Sequence, residues 1–411
     1  MDPEHPSTSA YIPPPIDRRL VVAALGVGQI LAWGTSFYFP AVFAAAIVAD
    51  TGWPLGLVVG GTSIGLLVGG LISPQVGAII EQRGGRPVLL ASSLFYALGL
   101  TGVAVAPNLS VYLLAWVAIG IGMGTGLYDA VFATLGRIYG NAARGPITNL
   151  TLFGGFASTV CWPLSAFLID HVGWRVACLV FAALHLCLVL PLQMAVVRRV
   201  PVRTESTPAP ADDARSPDMT PLERESVIFA LVAIVLSLTA GVGAVVLVNF
   251  MVFLQSTGVD YPTAIALGTL FGPAQVGARL IESLFGNRYH PIWTMIASCA
   301  AMAVGLLMLF AQFPVLVLVI LVYCGGYGIF WIGRGTLPLA LFGPLRFPRL
   351  MGRIAFPSLI VQALAPSAGA WLIESHGPHA TIGVLTVLAL INLVLIGVLW
   401  LLCRPKAELN L

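Results

Sequence analysis

Residues 77–86 read Gly77-Ala-Ile-Ile-Glu-Gln-Arg-Gly-Gly-Arg86, a charged and glycine-rich turn between two apolar runs. The flanking segments, 55–80 and 87–106, are almost free of charge. Each is long enough to cross a bilayer as a helix, which takes roughly 20 residues. A short polar interruption between two such segments is typical of a loop that joins two transmembrane helices. This stretch therefore predicts a helical hairpin embedded in a membrane.

The composition extends this interpretation to the whole chain. Its 411 residues are 58% hydrophobic and 9% charged, whereas soluble domains carry roughly 25% charged residues. A net charge of +3 is too small to indicate a nucleic-acid partner. The six cysteines include no CxxC pair, so neither a metal site nor a cofactor is expected. We expect a functional monomer whose partners are the lipid bilayer and a small-molecule substrate.

The apolar runs predict twelve transmembrane helices in two groups of six. The first group is 20–49, 55–80, 87–106, 109–139, 145–170 and 173–197. The second group is 226–256, 262–286, 290–311, 315–343, 350–374 and 379–402. The predicted organisation is a tail 1–19, a bundle 20–197, a linker 198–225, a second bundle 226–403 and a tail 404–411. The linker is rich in Pro, Asp, Glu, Arg, Ser and Thr, which favours a flexible cytoplasmic segment.

The placement of arginine predicts the topology. On one side of the alternating segments lie Arg18, Arg19, Arg83, Arg86, Arg137, Arg144, Arg198, Arg199, Arg203, Arg288, Arg346, Arg349, Arg353 and Arg404. Basic loops stay in the cytoplasm, so that side and both termini are expected to be cytoplasmic. Lys406 is the only lysine beside nineteen arginines, a bias that favours a high-GC bacterium. We therefore expect a multi-pass protein of the cell inner (plasma) membrane.

An internal repeat supports the division into halves. Leu168-Ile-Asp-His-Val-Gly173 follows the fifth predicted helix, and Leu372-Ile-Glu-Ser-His-Gly377 follows the eleventh. Two related halves are common in transporter folds. The fold expected from the repeat is all-α, with two pseudo-symmetric six-helix halves.

The turn at 77–86 resembles the loop signature G-x-x-x-D-R-x-G-R-R of the major facilitator superfamily. The residues that carry the resemblance are Gly77, Glu81, Arg83, Gly84 and Arg86. Glu81 stands in place of the usual Asp, and Gln82 in place of the usual basic residue. In that family the loop acts as a cytoplasmic latch, in which the acid meets a helix N-terminus and the arginine an acidic partner. The resemblance implies a major facilitator fold with such a latch here.

Other segments support the same resemblance. Ser283-Leu-Phe-Gly-Asn287-Arg288 looks like a degraded second copy of the loop, in which Asn287 replaces the acid and Arg288 is kept. Gly173-Trp174-Arg175 is also common in the superfamily. Gly154, Gly155 and Pro163 look like its flexible gating helix. Small residues also allow close packing in many membrane bundles, so these three remain open between gating and packing.

Arg279 lies inside the eighth predicted helix, where a charge costs at least ~2.5 kcal/mol and usually serves function. Its position resembles the helix-eight arginine of monocarboxylate and oxalate/formate transporters, which binds the substrate carboxylate. That resemblance implies an anion clamp at Arg279, using the planar guanidinium fork. Gln275 stands where those carriers often have an acid. The alternative is that Arg279 pairs with Glu282 or Asp129 to hold helices together.

Two carboxylates are candidates for carrying a coupling proton. Asp129 lies within the fourth predicted helix, and a buried acid there could take up a proton. It could equally be a carboxylate paired with an arginine. Glu282 faces the same choice, with the paired role favoured by its place near a helix end. His185 is expected to be a packed, neutral histidine.

Polar and aromatic residues at helix interiors predict the lining of a midplane cavity. The candidates are Gln29, Trp33, Ser36, Phe37 and Tyr38 in the first predicted helix, together with Asn249, Gln275 and Gln362. Their alternative role is to form hydrogen bonds between helices. Arg334 is expected near the cytoplasmic end, with its side chain reaching the headgroups.

The predicted function is secondary active transport by alternating access. We expect proton coupling or exchange, with a small organic anion as cargo. The alternative is an efflux carrier for neutral or toxic compounds, such as a drug, a trivalent arsenical or a vitamin-like aromatic such as riboflavin. An enzyme is disfavoured because no HExxH motif, paired carboxylates or nucleophile elbow occurs. An ATP-driven pump is disfavoured because no G-x-x-x-x-G-K-[ST] loop occurs.

Overall fold

A computed structural model describes residues 17–197 and 222–403, and in these residues every regular element is helical. The first half contains α1 (Arg18–Gly34), α2 (Pro40–Thr51), α3 (Leu55–Arg83), α4 (Arg86–Val105), α5 (Leu109–Gly126), α6 (Tyr128–Tyr139), α7 (Arg144–Gly155), α8 (Ala157–Leu184) and α9 (Leu190–Val196). The second contains α10 (Leu222–Gln255), α11 (Tyr261–Gly268), α12 (Phe271–Phe285), α13 (Pro291–Phe310) and α14 (Leu316–Cys403). Short 3-10 turns at Gly140–Ala143 and Gly286–Arg288 and a π-helical turn at His185–Val189 connect neighbouring helices.

Three predicted segments lie wholly or largely outside the described residues. The structure does not describe residues 1–16 of the predicted tail 1–19, residues 198–221 of the predicted linker 198–225, or the predicted tail 404–411. At the end of the linker, α10 starts at Leu222 rather than at residue 226. Within the described residues, seven helices are long and apolar enough to cross a membrane. The prediction of an all-α membrane protein is confirmed.

Helices α8 and α14 are interrupted at glycines. Gly173 in α8 and Gly343 and Gly377 in α14 have positive φ and non-helical geometry. Arg334 Nη1 donates to Ser358 Oγ at 2.6 Å, although 24 residues of straight helix would separate them by about 36 Å. Glycine permits positive φ at no steric cost, which explains why the interruptions occur at these positions. Divided at these glycines, and with helices separated only by a short break counted as one segment, the described helices lie at the positions of the predicted segments.

Four of these segments are broken near their middle. The break between α1 and α2 covers residues 35–39, and that between α5 and α6 is the extended residue Leu127. Phe156 separates α7 from α8, and residues 269–270 separate α11 from α12. Within a membrane, irregular backbone is tolerated only where protein buries it or it lines a cavity. The breaks therefore indicate where an internal cavity lies.

The two halves meet at the end of the bundle that carries the turns 83–86, 140–144, 286–290 and 343–349, which we name the arginine-rich end. There Ser73 Oγ of α3 donates to the Gly352 carbonyl of α14 at 2.9 Å. A Cβ at Gly77 would lie 2.6 Å from the Pro348 carbonyl. At the opposite end of α3, a Cβ at Gly60 would meet nothing within 4 Å. The halves are therefore in backbone contact at the arginine-rich end.

Candidate functional site

A cavity lies between the two halves, where the helix breaks converge. In this conformation the cavity is nearly closed, with a volume of about 10 Å³, close to the space that one water molecule needs. Its lining is Trp33, Phe37, Tyr38, Tyr128, Gly154, Leu247, Phe271, Arg279, Tyr327 and Trp331. The first five belong to the first half and the rest to the second. A cavity shared by two halves is the usual place for a small-molecule site in such folds.

The broken helices supply most of this lining. Phe37 and Tyr38 lie in the break between α1 and α2, and Tyr128 is the first residue of α6. Phe271 is the first residue of α12. The prediction of a polar and aromatic stretch around residues 29–38 thus falls at a break in the first segment. Interrupted helices bring both side chains and unpaired backbone groups to the cavity wall.

Arg279 is the only charged residue in the lining, and it is 3% exposed. Its Nε donates to the Gly328 carbonyl at 3.0 Å, Nη1 to the Thr151 carbonyl at 2.6 Å, and Nη2 to Gln275 Oε1 at 3.2 Å. A guanidinium has five N–H groups. One N–H on each terminal nitrogen is therefore not used by these three bonds, and the Tyr128 hydroxyl lies beside the guanidinium. None of these partners carries a charge that balances Arg279.

The alternative pairing of Arg279 with Glu282 or Asp129 does not occur. Glu282 accepts from Thr294 Oγ1 at 2.6 Å and from the Tyr289 hydroxyl. Burial, and the hydrogen bond to Glu282, raise the pKa of Tyr289 to about 12, so this loop hydroxyl remains a donor. Among the described side chains, no carboxylate forms an ion pair with Arg279.

Asp129 instead forms a two-pronged ion pair with Arg334. Arg334 Nε and Nη2 each donate to one carboxylate oxygen at 2.8 Å. Arg334 is fully buried, and its Nη1 donates to Ser358 Oγ. The expectation that Arg334 reaches the headgroups is therefore wrong. A bidentate carboxylate on the other half of the chain holds the side chain inside, where an unpaired charge would be costly.

The glycines of α7 make room for the side chains of the site. A Cβ at Gly154 would lie 2.0 Å from the Tyr128 hydroxyl oxygen, and one at Gly155 would lie 2.7 Å from Arg279 Nη1. Both positions are therefore required for close packing in this conformation. Pro163 is exposed on α8, away from the cavity lining. A gating role for these residues remains a prediction.

The other predicted lining residues divide into two groups. Trp33 and Tyr38 line the cavity, and Gln275 holds Arg279. Gln29 lies behind the wall, where its amide donates to the Gly126 carbonyl and accepts from Trp33 Nε1.

Asn249 and Gln362 are buried and donate to carbonyls one helical turn earlier, those of Val245 and Ser358. Neither lines the cavity. Their hydrogen bonds in this conformation are within their own helices.

The predicted latch lies where the halves meet. Glu81 Oε2 is 4.0 Å from Arg349 Nη1 of the other half, and the Glu81 carbonyl accepts from Arg137. Gly84 ends α3 with φ +81°. Arg83 and Arg86 form no ion pair with a described carboxylate. In the second copy, Arg288 lies over the Phe285 ring at 5.6 Å, and the Asn287 side chain is outside the described part.

His185 is buried and packed, as expected. Its ring stacks on Tyr96 with centroids 4.7 Å apart, and its Nε2 lies 3.0 Å from Thr35 Oγ1. It does not line the cavity. In the described residues, no group of three or more His, Cys, Asp or Glu is placed to hold a metal ion.

Four aromatic members of the lining were missed by the sequence reasoning: Tyr128, Phe271, Tyr327 and Trp331. A signal for two of them was present. Tyr327, Trp331 and Arg334 are spaced four and three residues apart, which places them on one face of a helix. Asp129 was recognised, whereas its neighbour Tyr128 was not.

Comparison with protein families gives a match over most of the chain. The profile of the Major Facilitator Superfamily matches residues 25–289 and, in a second overlapping match, residues 233–411. Mouse monocarboxylate transporter 4 is 24% identical over 340 residues, covering 80% of this chain and 70% of the relative. Niacin transporter NiaP of Acinetobacter baylyi is 30% identical over 132 residues, covering 32% of this chain and 28% of the relative.

Solved structures share the fold. The human organic anion transporter MFSD10 (TETRAN) superposes with a TM-score of 0.70 at 17% identity, covering 93% of this chain and 100% of that one. The proton:xylose symporter XylE superposes with a TM-score of 0.67 at 12% identity, covering 92% of this chain and 94% of that one. At these sequence identities, the superpositions show a shared arrangement of helices and nothing about cargo.

Proposed function

Since this chain belongs to the major facilitator superfamily, and is therefore a membrane transporter rather than an enzyme, we propose that it moves a small organic anion by alternating access. Arg279 is the group that binds the anion. The observation that carries the proposal is a buried arginine in the wall of an inter-half cavity, which forms no ion pair with a described carboxylate. Such a charge is costly inside a membrane and is expected to serve function.

The relatives support an anionic cargo. A monocarboxylate transporter covers most of the chain, and a niacin transporter covers about a third of it. One of the solved structures with this fold is an organic anion transporter. Their names describe what those proteins carry. For this chain, the proposal of an anionic cargo rests on Arg279. The cargoes named for these relatives agree with it.

The conformation is assigned from the positions of the arginines. The positive-inside rule makes the arginine-rich end cytoplasmic, with both termini on that side of the inner membrane. Because the halves contact each other there, this conformation is closed to the cytoplasm. Arg279 of the second half donates to Thr151 of the first. An anion that competes for Arg279 would weaken this contact between the halves. It would thereby favour the opening of the cavity toward the cytoplasm.

Proton coupling is assigned to Asp129. Its carboxylate holds Arg334 across the two halves. A proton on Asp129 would remove the charge that balances Arg334 and would weaken the link. Uptake of the proton and separation of the halves would then be one event. Glu282, which accepts from two hydroxyl donors and interacts electrostatically with Arg144 of the first half, is the second candidate.

The alternative cargo is a neutral or toxic compound carried outward. The aromatic walls of the cavity favour it, because they would bind an uncharged ring as well. Arg279 would then be a structural donor to Thr151 and Gly328. The two proposals differ in whether Arg279 is needed for binding.

The test is counterflow of labelled lactate and nicotinate in proteoliposomes, with and without an imposed pH gradient. We expect saturable transport that Arg279→Ala reduces about 100-fold in apparent affinity, since two charge-assisted hydrogen bonds are lost. Asp129→Asn should keep counterflow and lose gradient-driven uptake. Arg353→Ala, at an exposed arginine, is the matched control. If neither carboxylate is moved by the wild type, the anion proposal is overturned.

A further inference from the structure

We infer that the cargo is a planar aromatic monocarboxylate, whose ring stacks in the cavity while its carboxylate binds Arg279. The inference rests on the proposed function and adds the chemical class of the anion. Seven of the ten lining residues are aromatic, and one is charged. A single fixed cation in an aromatic cage matches a ligand with one negative charge and one flat apolar face.

The rings form a connected set across the two halves. Trp331 of the second half lies 5.2 Å from Trp33 and 5.4 Å from Tyr128, between ring centroids, at interplanar angles of 76° and 51°. Trp33 lies 5.0 Å from Tyr128. In this conformation the rings pack against one another, and a guest ring would replace part of these contacts. Aromatic pairs prefer edge-to-face and offset-stacked arrangements, and an aromatic guest gains from them what a saturated ring does not.

The charge of the site selects one carboxylate. Arg334 lies close by, with its guanidinium carbon 5.7 Å from the centroid of the Trp331 ring. Its Nε and Nη2 donate to Asp129, which balances its charge, and its Nη1 donates to Ser358. A second carboxylate on the ligand would therefore be buried without a free cation, which is costly.

Other ligand classes fit less well. Aromatic cages also bind cations such as quaternary ammonium groups, but Arg279 would repel a cation in this one. A neutral aromatic compound would stack, yet would leave the buried charge of Arg279 without a counter-charge. Only a monovalent aromatic anion satisfies the rings and the arginine together.

The inference is tested by calorimetric titration of the purified full-length protein in detergent. Binding is measured because protonated benzoic acid crosses bilayers unaided and would obscure transport. The probes are benzoate, cyclohexanecarboxylate, benzyl alcohol and phthalate. Cyclohexanecarboxylate keeps the carboxylate and ring size without the π face, benzyl alcohol keeps the ring without the charge, and phthalate adds a second carboxylate. We expect benzoate to bind about tenfold more tightly than cyclohexanecarboxylate or phthalate, and about 100-fold more tightly than benzyl alcohol, which lacks the carboxylate that binds Arg279.

Variants assign the preference to the cavity. Trp331→Leu should reduce the ratio of benzoate to cyclohexanecarboxylate affinity toward one while binding of both is retained. Trp33→Leu should do the same on the opposite wall, so that a folding defect in one variant does not end the test. Trp293→Leu is the matched control, because Trp293 is exposed on α13 and packs against Trp400. Thermal unfolding in detergent checks that each variant is folded.

The possible outcomes separate the two proposals. A benzoate preference lost in Trp331→Leu or Trp33→Leu and kept in Trp293→Leu supports the inference. Equal binding of benzoate and cyclohexanecarboxylate, both dependent on Arg279, overturns the aromatic class and leaves the anion proposal standing. Tighter binding of phthalate overturns the restriction to one carboxylate. Binding of benzyl alcohol alone, or of none of the carboxylates, overturns both proposals.

Discussion

At the scale of single residues, two buried arginines in the second half have opposite surroundings. Arg334 meets a bidentate carboxylate and a hydroxyl, so its charge is balanced inside the protein. Arg279 is held by two carbonyls and an amide, all uncharged. Dipoles can orient a guanidinium but do not neutralise it. The residue-level evidence for an anion site is therefore this missing counter-charge, rather than the presence of an arginine.

The position of Arg279 depends on a glycine opposite it. A Cβ at Gly155 would lie 2.7 Å from Arg279 Nη1, closer than atoms in contact allow. We expect Gly155→Ala to displace the guanidinium and to weaken carboxylate binding about tenfold, while the fold is kept, since the far end of an arginine side chain can move. Titration calorimetry measures the loss.

Gly272→Ala on α12 is the control, because a Cβ there meets nothing within 4 Å. Equal affinity in Gly155→Ala and the wild type would show that the observed position of Arg279 is not the one that binds.

At the scale of elements, close backbone contact joins the halves at the arginine-rich end. A Cβ at Gly352 of α14 would lie 2.3 Å from the Ser73 carbonyl of α3, and one at Gly77 would lie 3.0 Å from the Gly352 Cα. Small residues let membrane helices approach closely, and only such contact permits Ser73 to donate to the Gly352 carbonyl. The latch pair Glu81 and Arg349 is half-exposed and long, so it adds little.

Gly352→Ala should therefore open the arginine-rich end. Overpacking a tight contact costs roughly 1–3 kcal/mol, and this cost falls only on the conformation in which the contact exists. The measurement is the maleimide labelling rate of Ser73→Cys in a background whose six natural cysteines are replaced by serine. We expect labelling about tenfold faster with Gly352→Ala than without it.

Gly60→Ala serves as the comparison, since its Cβ would meet open space on the same helix. An unchanged labelling rate in Gly352→Ala would mean that the contact does not limit opening.

At the scale of the whole molecule, the two halves are joined by a buried ion pair as well as by packing. Asp129 in α6 and Arg334 in α14 are 205 residues apart and bond at 2.8 Å. A buried ion pair between the two halves favours the one arrangement in which both charges are paired. By itself it is weak evidence for stability. It holds this conformation because separation leaves two unbalanced charges.

A double-mutant cycle tests that role. Asp129→Leu leaves Arg334 buried and unpaired, so we expect a loss of about 3–5 kcal/mol in the free energy of unfolding. Combining it with Arg334→Met removes both charges, and we expect stability within about 1 kcal/mol of the wild type. Reversible unfolding in mixed micelles measures both. If the single variant is no less stable than the double, the pair does not hold the halves together.

The sequence by itself determined the class of fold, the division into two bundles and the place of the family motif. Those depend on hydropathy, on turn residues and on local spacing, which are properties of neighbouring residues along the chain. It also identified Arg279 and Asp129 as charges that need an explanation. The tertiary structure decided which partner each charge has, that Arg334 is inside rather than at the surface, and that aromatic residues from both halves share one cavity. The physical reason is that pairing energies and cavity walls depend on residues more than a hundred positions apart, which only the packing of the helices brings together.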